Sequence, residues 1–237
     1  MRILEHMARV GFISAVALLM IAQGMTAFPA AASSTTEREQ TYDVVIYGAT
    51  SAGVVAAVQA ARMDRSVVLI NPDHHIGGMT SSGLGGTDSG RRESIGGLAR
   101  DFYHRVRETY QNESRWVHQS RESYFGRFLQ REGSEQWGFE PHVAEQVFKE
   151  WLQEYDIPVI KGRLLRDEGR GVELEGKRIE SITLLSGEVI RGHVFLDTTY
   201  VGDLMAEAGV TYTVGRESNA AYGETLNGIQ TAHTENH

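Results

Sequence analysis

The sequence runs to 237 residues, 41% hydrophobic and 23% charged, with 26 glycines, a composition that suits a globular protein of one large domain and excludes a fibrous or disordered chain. A formal charge of −8 with no basic stripe argues against a partner held through nucleic-acid phosphates. The chain has no cysteine, which rules out disulfide frameworks, thiolate metal sites and cysteine nucleophiles.

The N-terminus reads as an export signal over residues 1–32. Arg2 and Arg9 give a positive start, Gly11 to Met25 is an apolar run, and Ala30-Ala31-Ala32 supplies small residues for cleavage. The run is shorter than the roughly 18 to 20 apolar residues of a spanning helix. A membrane enters only if this segment stays uncleaved as an anchor. No Arg-Arg pair precedes the run, so a Sec-type route to the periplasm or the exterior is expected. Residues 33–41 are mostly polar and aperiodic and read as a linker.

From Tyr42 to Tyr47 the sequence YDVVIY has the continuous apolar centre of a parallel strand buried on both faces. A glycine turn follows, then an Ala-rich helix over Gly53 to Met63 and a second buried strand over Ser66 to Ile70, which together form a βαβ unit. A glycine-rich stretch spans Gly77 to Gly97, and a loop of that length usually carries function. Ile95, Leu98, Phe102, Val106 and Tyr110 fall at helical spacing. Residues 111–136 read as a polar surface insertion. A further helix starts at Pro141 and places Val143, Val147, Phe148, Trp151, Leu152 and Tyr155 on one face. A short strand over Ile157 to Ile160 adds a third member to the sheet, with Pro158 leaving its centre undecided. Residues 171–196 form an antiparallel meander with turns at Gly176-Lys177 and Ser186-Gly187.

The turn Gly48-Ala49-Thr50-Ser51-Ala52-Gly53 follows the G-x-G-x-x-G fingerprint of dinucleotide sites except that Thr50 replaces the second glycine. Pyrophosphate would meet the helix N-terminus, where unpaired amides favour negative charge. Thr50 can add its hydroxyl, while its Cβ narrows the approach. A turn of this kind can also serve the fold alone. At the end of the second strand, where an acidic residue usually holds a ribose, the chain has Asn71, which either accepts from that ribose or merely ends the strand before Pro72.

The Gly77-Gly78 pair inside HIGGMTSSGLGGTDSG resembles the loop that flavoproteins with two dinucleotide-binding domains place along their cofactor. More narrowly, the glycine turn with a central Thr, the segment GGMT…GLGGTDSG, and Asp197-Thr198-Thr199-Tyr200-Val201-Gly202-Asp203 resemble the bacterial FAD-dependent oxidoreductases labelled xanthan-lyase-like. Gly215-Arg216-Glu217-Ser218 continues the likeness, which covers roughly Tyr42 to Gln230.

The resemblance implies an α/β fold: a Rossmann-like parallel sheet with helices on both sides, an antiparallel meander, and the start of a substrate domain. The FAD-binding domain would span 42–203 and the substrate domain would begin within 204–237. Gly48, Thr50 and Gly53 would cradle pyrophosphate, and Asn71 would face the adenosine ribose. Gly77, Gly78 and Met79 would line the extended cofactor, and backbone around Gly162 or Arg163 would meet adenine. Asp197, Thr198, Thr199 and Gly202 would lie where the chain returns to the flavin. Thr87, Asp88 and Arg216 are substrate-side candidates, Arg216 as a cation near a reduced flavin or an anionic substrate. Asp203 would touch ligand or cap the next helix.

The histidines show no metal-ligand spacing, so no metal is expected. A covalent flavin link through adjacent His74 or His75 is a weaker alternative. Glu122, Glu140 and Glu145 form no recognisable catalytic pair, and no G-x-S-x-G elbow is present. The expected activity is redox chemistry on a small molecule by an exported flavoenzyme. Relatives of this kind would continue beyond His237, so the chain is expected to be a fragment. Two alternatives stand beside this reading: a non-catalytic nucleotide-binding remnant and an NAD(P)-dependent Rossmann reductase.

Overall fold

A computed structural model describes residues 40–84, 87, 88, 90–123, 133–167 and 169–228. The expected export signal, most of the linker (33–39), the middle of the insertion (124–132) and the last nine residues lie outside the described residues.

Six strands make one sheet in the order β3-β2-β1-β6-β5-β4. They are β1 (Thr41–Tyr47), β2 (Val67–Asn71), β3 (Val159–Lys161), β4 (Val172–Glu175), β5 (Arg178–Thr183) and β6 (Val189–Asp197). β1 runs parallel to both β2 and β6, β2 runs parallel to β3, and β4, β5 and β6 pair antiparallel. The sheet is therefore mixed. The meander does not stand beside the parallel sheet, because its last strand is one of the parallel strands. Tyr47 lies opposite Ile70 on one side and Asp197 on the other, so β1, β2 and β6 end along one edge.

The apolar centre of β1 explains its place next to the middle of the sheet, with Val45 and Ile46 fully buried. β3 begins one residue after Pro158, whose carbonyl accepts from the Leu69 amide at 3.0 Å. The proline thus joins the ladder through the one group that it can offer.

Three helices, α1 (Ser51–Arg62), α2 (Gly97–Gln111) and α3 (Pro141–Glu154), pack on one face of the sheet. Ile46 and Leu69 meet Val54 and Val58 there, with Phe102, Phe148 and Trp151 beyond them. Helices on both faces were expected, but the second face is covered differently. Val45, Tyr47, Val68 and Ile70 pack against Ile182, Leu184 and Ile190 of the meander and Leu204 of the short helix α4 (Asp203–Glu207). Ile182 and Leu184, two residues apart, present one apolar face and take the place of a helix.

α2 starts later than its periodicity suggests, because Ile95 closes a 3₁₀ turn at Arg92–Ser94. The insertion is not all surface. Gln136 is fully buried, with its amide donating to the Tyr103 carbonyl at 3.0 Å and its side chain to Gly138 at 2.7 Å, and Trp137 and Phe139 enter the core beside it. A buried amide side chain costs little once it is hydrogen-bonded. The last described element is α5 (Asn219–Tyr222). Among the described residues no helix is long and apolar enough to cross a membrane.

Candidate functional site

The sheet edge formed by the ends of β1, β2 and β6 brings three of the singled-out segments together. Gly48 leaves β1 at φ 111°, and a Cβ there would lie 2.8 Å from the Thr198 carbonyl carbon. A Cβ on Gly53 would overlap the Gly48 carbonyl oxygen. These two glycines therefore allow β1, α1 and the chain after β6 to meet at backbone distance.

Thr50 is the N-cap of α1. Its hydroxyl accepts from the Gly53 amide at 3.3 Å and donates to the Thr198 carbonyl at 2.8 Å. A hydroxyl has one hydrogen, and that of Thr50 is directed to the Thr198 carbonyl. Its Cβ is tolerated because Gly78 stands opposite: a Cβ on Gly78 would come within 3.2 Å of it. The glycine missing from the fingerprint is in effect supplied by the second loop.

That loop is held from both ends. The Gly77 amide donates to the Ala49 carbonyl at 2.7 Å, forming a parallel bridge with Thr50. Beneath Gly77 lies Phe148, whose ring would be 2.6 Å from a Cβ there, and Phe148 stacks on Phe102 at 4.6 Å. Met79, with 55% exposure, directs its amide to the Tyr200 hydroxyl at 2.7 Å. Just upstream, Glu145 of α3 accepts from the Ile76 amide at 3.3 Å, from Lys149 at 2.8 Å and from His75 Nδ1 at 3.0 Å. Burial alone would raise the Glu145 carboxyl, but these hydrogen bonds and the Lys149 charge outweigh it and hold the pKa at about 2.

The return after β6 is tied to the turn. Thr198 Oγ1 lies 2.6 Å from the Gly48 carbonyl oxygen and 3.1 Å from that of Tyr47. Asp197 accepts from the Thr199 amide at 3.0 Å and hydroxyl at 2.7 Å through one oxygen, and from the Met205 amide at 2.9 Å through the other. Thr199 Oγ1 in turn receives the Gly202 amide at 2.9 Å. Asp197 and Thr199 thereby shape the start of α4, whose N-cap Gly202 is left-handed at φ 72°. Asp203 is not the cap; it opens the helix and pairs with Arg166 at 2.8 Å.

The other candidates are distributed less tightly. Asn71 is buried at the end of β2, where its Oδ1 accepts from Asp73 at 3.1 Å and its Nδ2 donates to the His75 carbonyl at 3.4 Å. One Nδ2 hydrogen and one lone pair remain for a ligand. The Gly162 amide donates to the Asn71 carbonyl at 3.0 Å, and the carbonyl of exposed Arg163 accepts from Leu185 at 2.8 Å. Thr87 is half-buried and Asp88 exposed. Arg216 is exposed and lines an open cleft with Glu217, Glu224 and Asn227, all from its own stretch of chain. His74 Nδ1 faces Lys161 at 3.4 Å. Among the described residues no three metal-ligating side chains converge.

The sequence places Phe148 on the packing face of its helix but assigns no role at the site to Glu145, Phe148 or Tyr200. Glu145 and Phe148 reach the loop only through the packing of α3, which leaves no local signature. Tyr200 had a signal, since it stands inside the Asp197 to Asp203 stretch.

The cradle fits a dinucleotide. α1 has no carboxylate in its first turn, and the turn and the Gly-Gly loop are bare of side chains where backbones meet, which suits an anionic, extended ligand at a helix N-terminus. Such a glycine turn between β1 and α1, on a mixed sheet with a meander, is the layout of an FAD/NAD(P)-binding Rossmann-type fold. The chain matches the FAD dependent oxidoreductase family over residues 43–237 and belongs to it; FAD is its cofactor. No curated protein gives a significant match. Among solved structures it is similar to L-proline dehydrogenase from P. horikoshii, with a TM-score of 0.50 at 15% identity, over 75% of this chain and 58% of that one. It is also similar to L-amino acid deaminase from Proteus vulgaris, with a TM-score of 0.46 at 17% identity, over 74% of this chain and 51% of that one. The chain thus spans little more than half the length of these structures.

Proposed function

We propose that this chain is the cofactor-binding part of an exported FAD-dependent oxidoreductase that acts on a small molecule, of the subtype its motifs resemble. The carrying observation is the junction of three segments at one sheet edge: Gly48 to Gly53, Gly77 to Met79 and Asp197 to Gly202, joined by the Thr198–Gly48, Thr50–Thr198 and Tyr200–Met79 hydrogen bonds. FAD, once bound, supplies reversible acceptance of a hydride or electrons.

In this reading the residues of the chain position the cofactor. Gly48 and Gly53 open the approach to the N-terminus of α1, and Thr50 holds the first turn of that helix. Asn71 uses its remaining hydrogen and lone pair on the adenosine ribose, and the backbone at Gly162 and Arg163 borders the adenine. Gly77, Gly78 and Met79 run along the cofactor, while Asp197, Thr198, Thr199 and Gly202 fix the return beside it. Thr87, Asp88 and Arg216 serve the substrate side. Residues 204–237 begin the substrate domain; the exposed side chains of Val210, Tyr212, Val214, Tyr222 and Leu226 support a packing role there. Export rests on the signal pattern of residues 1–32.

The test is a visible spectrum of the purified chain before and after addition of FAD. Flavin absorbance that stays through gel filtration and bleaches with a reductant supports the reading. Retained flavin with no turnover on any donor supports the binding remnant instead. Tight NADH binding without flavin overturns the proposal.

A further inference from the structure

Tyr200 is placed unusually for a side chain that is 59% exposed. Its hydroxyl oxygen takes the Met79 amide at 2.7 Å, across 121 residues of sequence. The room for it exists only because Gly78 has no side chain: a Cβ there would overlap the phenolic oxygen and come within 3.0 Å of the ring carbon that bears it. A phenol has one hydrogen to donate, and among the described residues nothing accepts it. The oxygen is thus fixed by an amide of the Gly-Gly loop while the hydrogen is left for another acceptor.

We propose that Tyr200 is a cofactor-binding residue of this site, a role that rests on the reading of the sheet edge as the FAD cradle. With the Met79 N–H lodged on its oxygen, the phenol keeps its own hydrogen for an acceptor oxygen of the bound dinucleotide. The same contact fixes the phenolic oxygen against the Gly77 to Met79 loop, so Tyr200 presents its hydrogen to the ligand from a set position. Gly78 is the partner that admits it.

The experiment measures FAD affinity by quenching of flavin fluorescence, alongside thermal unfolding of the ligand-free protein, for the full chain and for Tyr200→Phe, Gly78→Ala and the double variant. Loss of the hydroxyl alone is expected to raise Kd about tenfold. The ligand-free melting temperature should stay unchanged, since water replaces the phenol at the exposed Met79 amide. Gly78→Ala pushes the phenol aside and should raise Kd at least as much. The double variant should bind within about twofold of Gly78→Ala, because both changes break one contact. An unchanged Kd in Tyr200→Phe, penalties that multiply in the double variant, or a fall in melting temperature that parallels the affinity loss would each overturn the assignment while leaving FAD binding intact. If the unaltered chain binds no FAD, the cradle reading falls and Tyr200 falls with it. Should Gly78→Ala not fold, Tyr200→Phe decides by itself.

Discussion

Thr198 Oγ1 lies 2.6 Å from the carbonyl oxygen of Gly48, a residue 150 positions earlier in the chain. The contact joins the end of the meander to the turn that opens the βαβ unit, and the Thr50 hydroxyl answers it by donating to the Thr198 carbonyl. Two threonines thus cross-link the two parallel strands where their ends meet. Neither hydroxyl acts on its own, because each is held by backbone that the other segment supplies.

Thr198→Val keeps the shape and removes the hydroxyl. The Gly48 and Tyr47 carbonyls then lose a donor in a part-buried place, which costs about 1 to 3 kcal/mol. Urea unfolding should show that loss, and FAD affinity should fall with it because the turn and the return come apart. A variant as stable as the parent would show that the junction is not held by this bond.

Gly53→Ala tests the closest backbone approach in the site. Its Cβ would overlap the Gly48 carbonyl oxygen and stand 2.8 Å from Thr198 Oγ1, so β1 and α1 must move apart. The expected penalty is at least about 2 kcal/mol. Gly96→Ala is the comparison, since nothing lies within 4 Å of a Cβ there; it should cost at most about 1 kcal/mol as an altered N-cap. Equal penalties would contradict the packing described at Gly53.

Glu145 gives a pH-dependent prediction. Its pKa is lowered from 4.5 to about 2 in the folded chain, although burial opposes the shift, through Lys149, His75 and the Ile76 amide. A carboxylate with a depressed folded pKa contributes stability that is fully present above its unfolded pKa, here near 4.5, and is lost as pH falls through its folded value. The contribution is on the order of 2 to 3 kcal/mol at neutral pH. Glu145→Gln should therefore be less stable than the parent at pH 6, and the gap should close between pH 4.5 and about 2. A gap that stays constant through that range would show that the charge of Glu145 does not hold the loop.

The sequence made the fold legible where periodicity and glycine placement coincide. The strand expected over Ser66 to Ile70 falls one residue later, at Val67–Asn71, while the apolar centre of Tyr42 to Tyr47 and the turn from Gly48 stand where their patterns put them. The same is true of α3, which Pro141 opens. What the pattern could not convey is which face each element covers. Ile182 and Leu184 alternate as any half-buried strand does, and nothing local says that they replace helices on the second face. Gln136 reads as surface from the sequence and is buried in the fold, because its partners, Tyr103 and Gly138, become visible only once the chain is folded. The site divides in the same way. Gly48, Gly53 and Gly78 announce close approaches, whereas Glu145 and Phe148 act across α3 and leave no motif.

Thr50→Gly restores the fingerprint and is expected to weaken the protein nonetheless. Glycine would open the approach to pyrophosphate, but in this chain the space opposite position 50 is already vacated by Gly78, so little room is gained. Against that, the substitution removes the 2.8 Å bond to the Thr198 carbonyl and the cap on the Gly53 amide. The lost hydrogen bond costs about 1 kcal/mol. A glycine N-cap adds a few tenths, and the freer unfolded chain adds a further ~0.5 kcal/mol. Urea unfolding should place Thr50→Gly about 1 to 2 kcal/mol below the parent, with FAD binding no tighter. Thr50→Ser, which keeps the hydroxyl and drops the methyl, should stay close to the parent in both measurements. A glycine variant that is as stable as the parent and binds FAD more tightly would mean that Thr50 obstructs the cofactor, and that its two hydrogen bonds do not hold the turn.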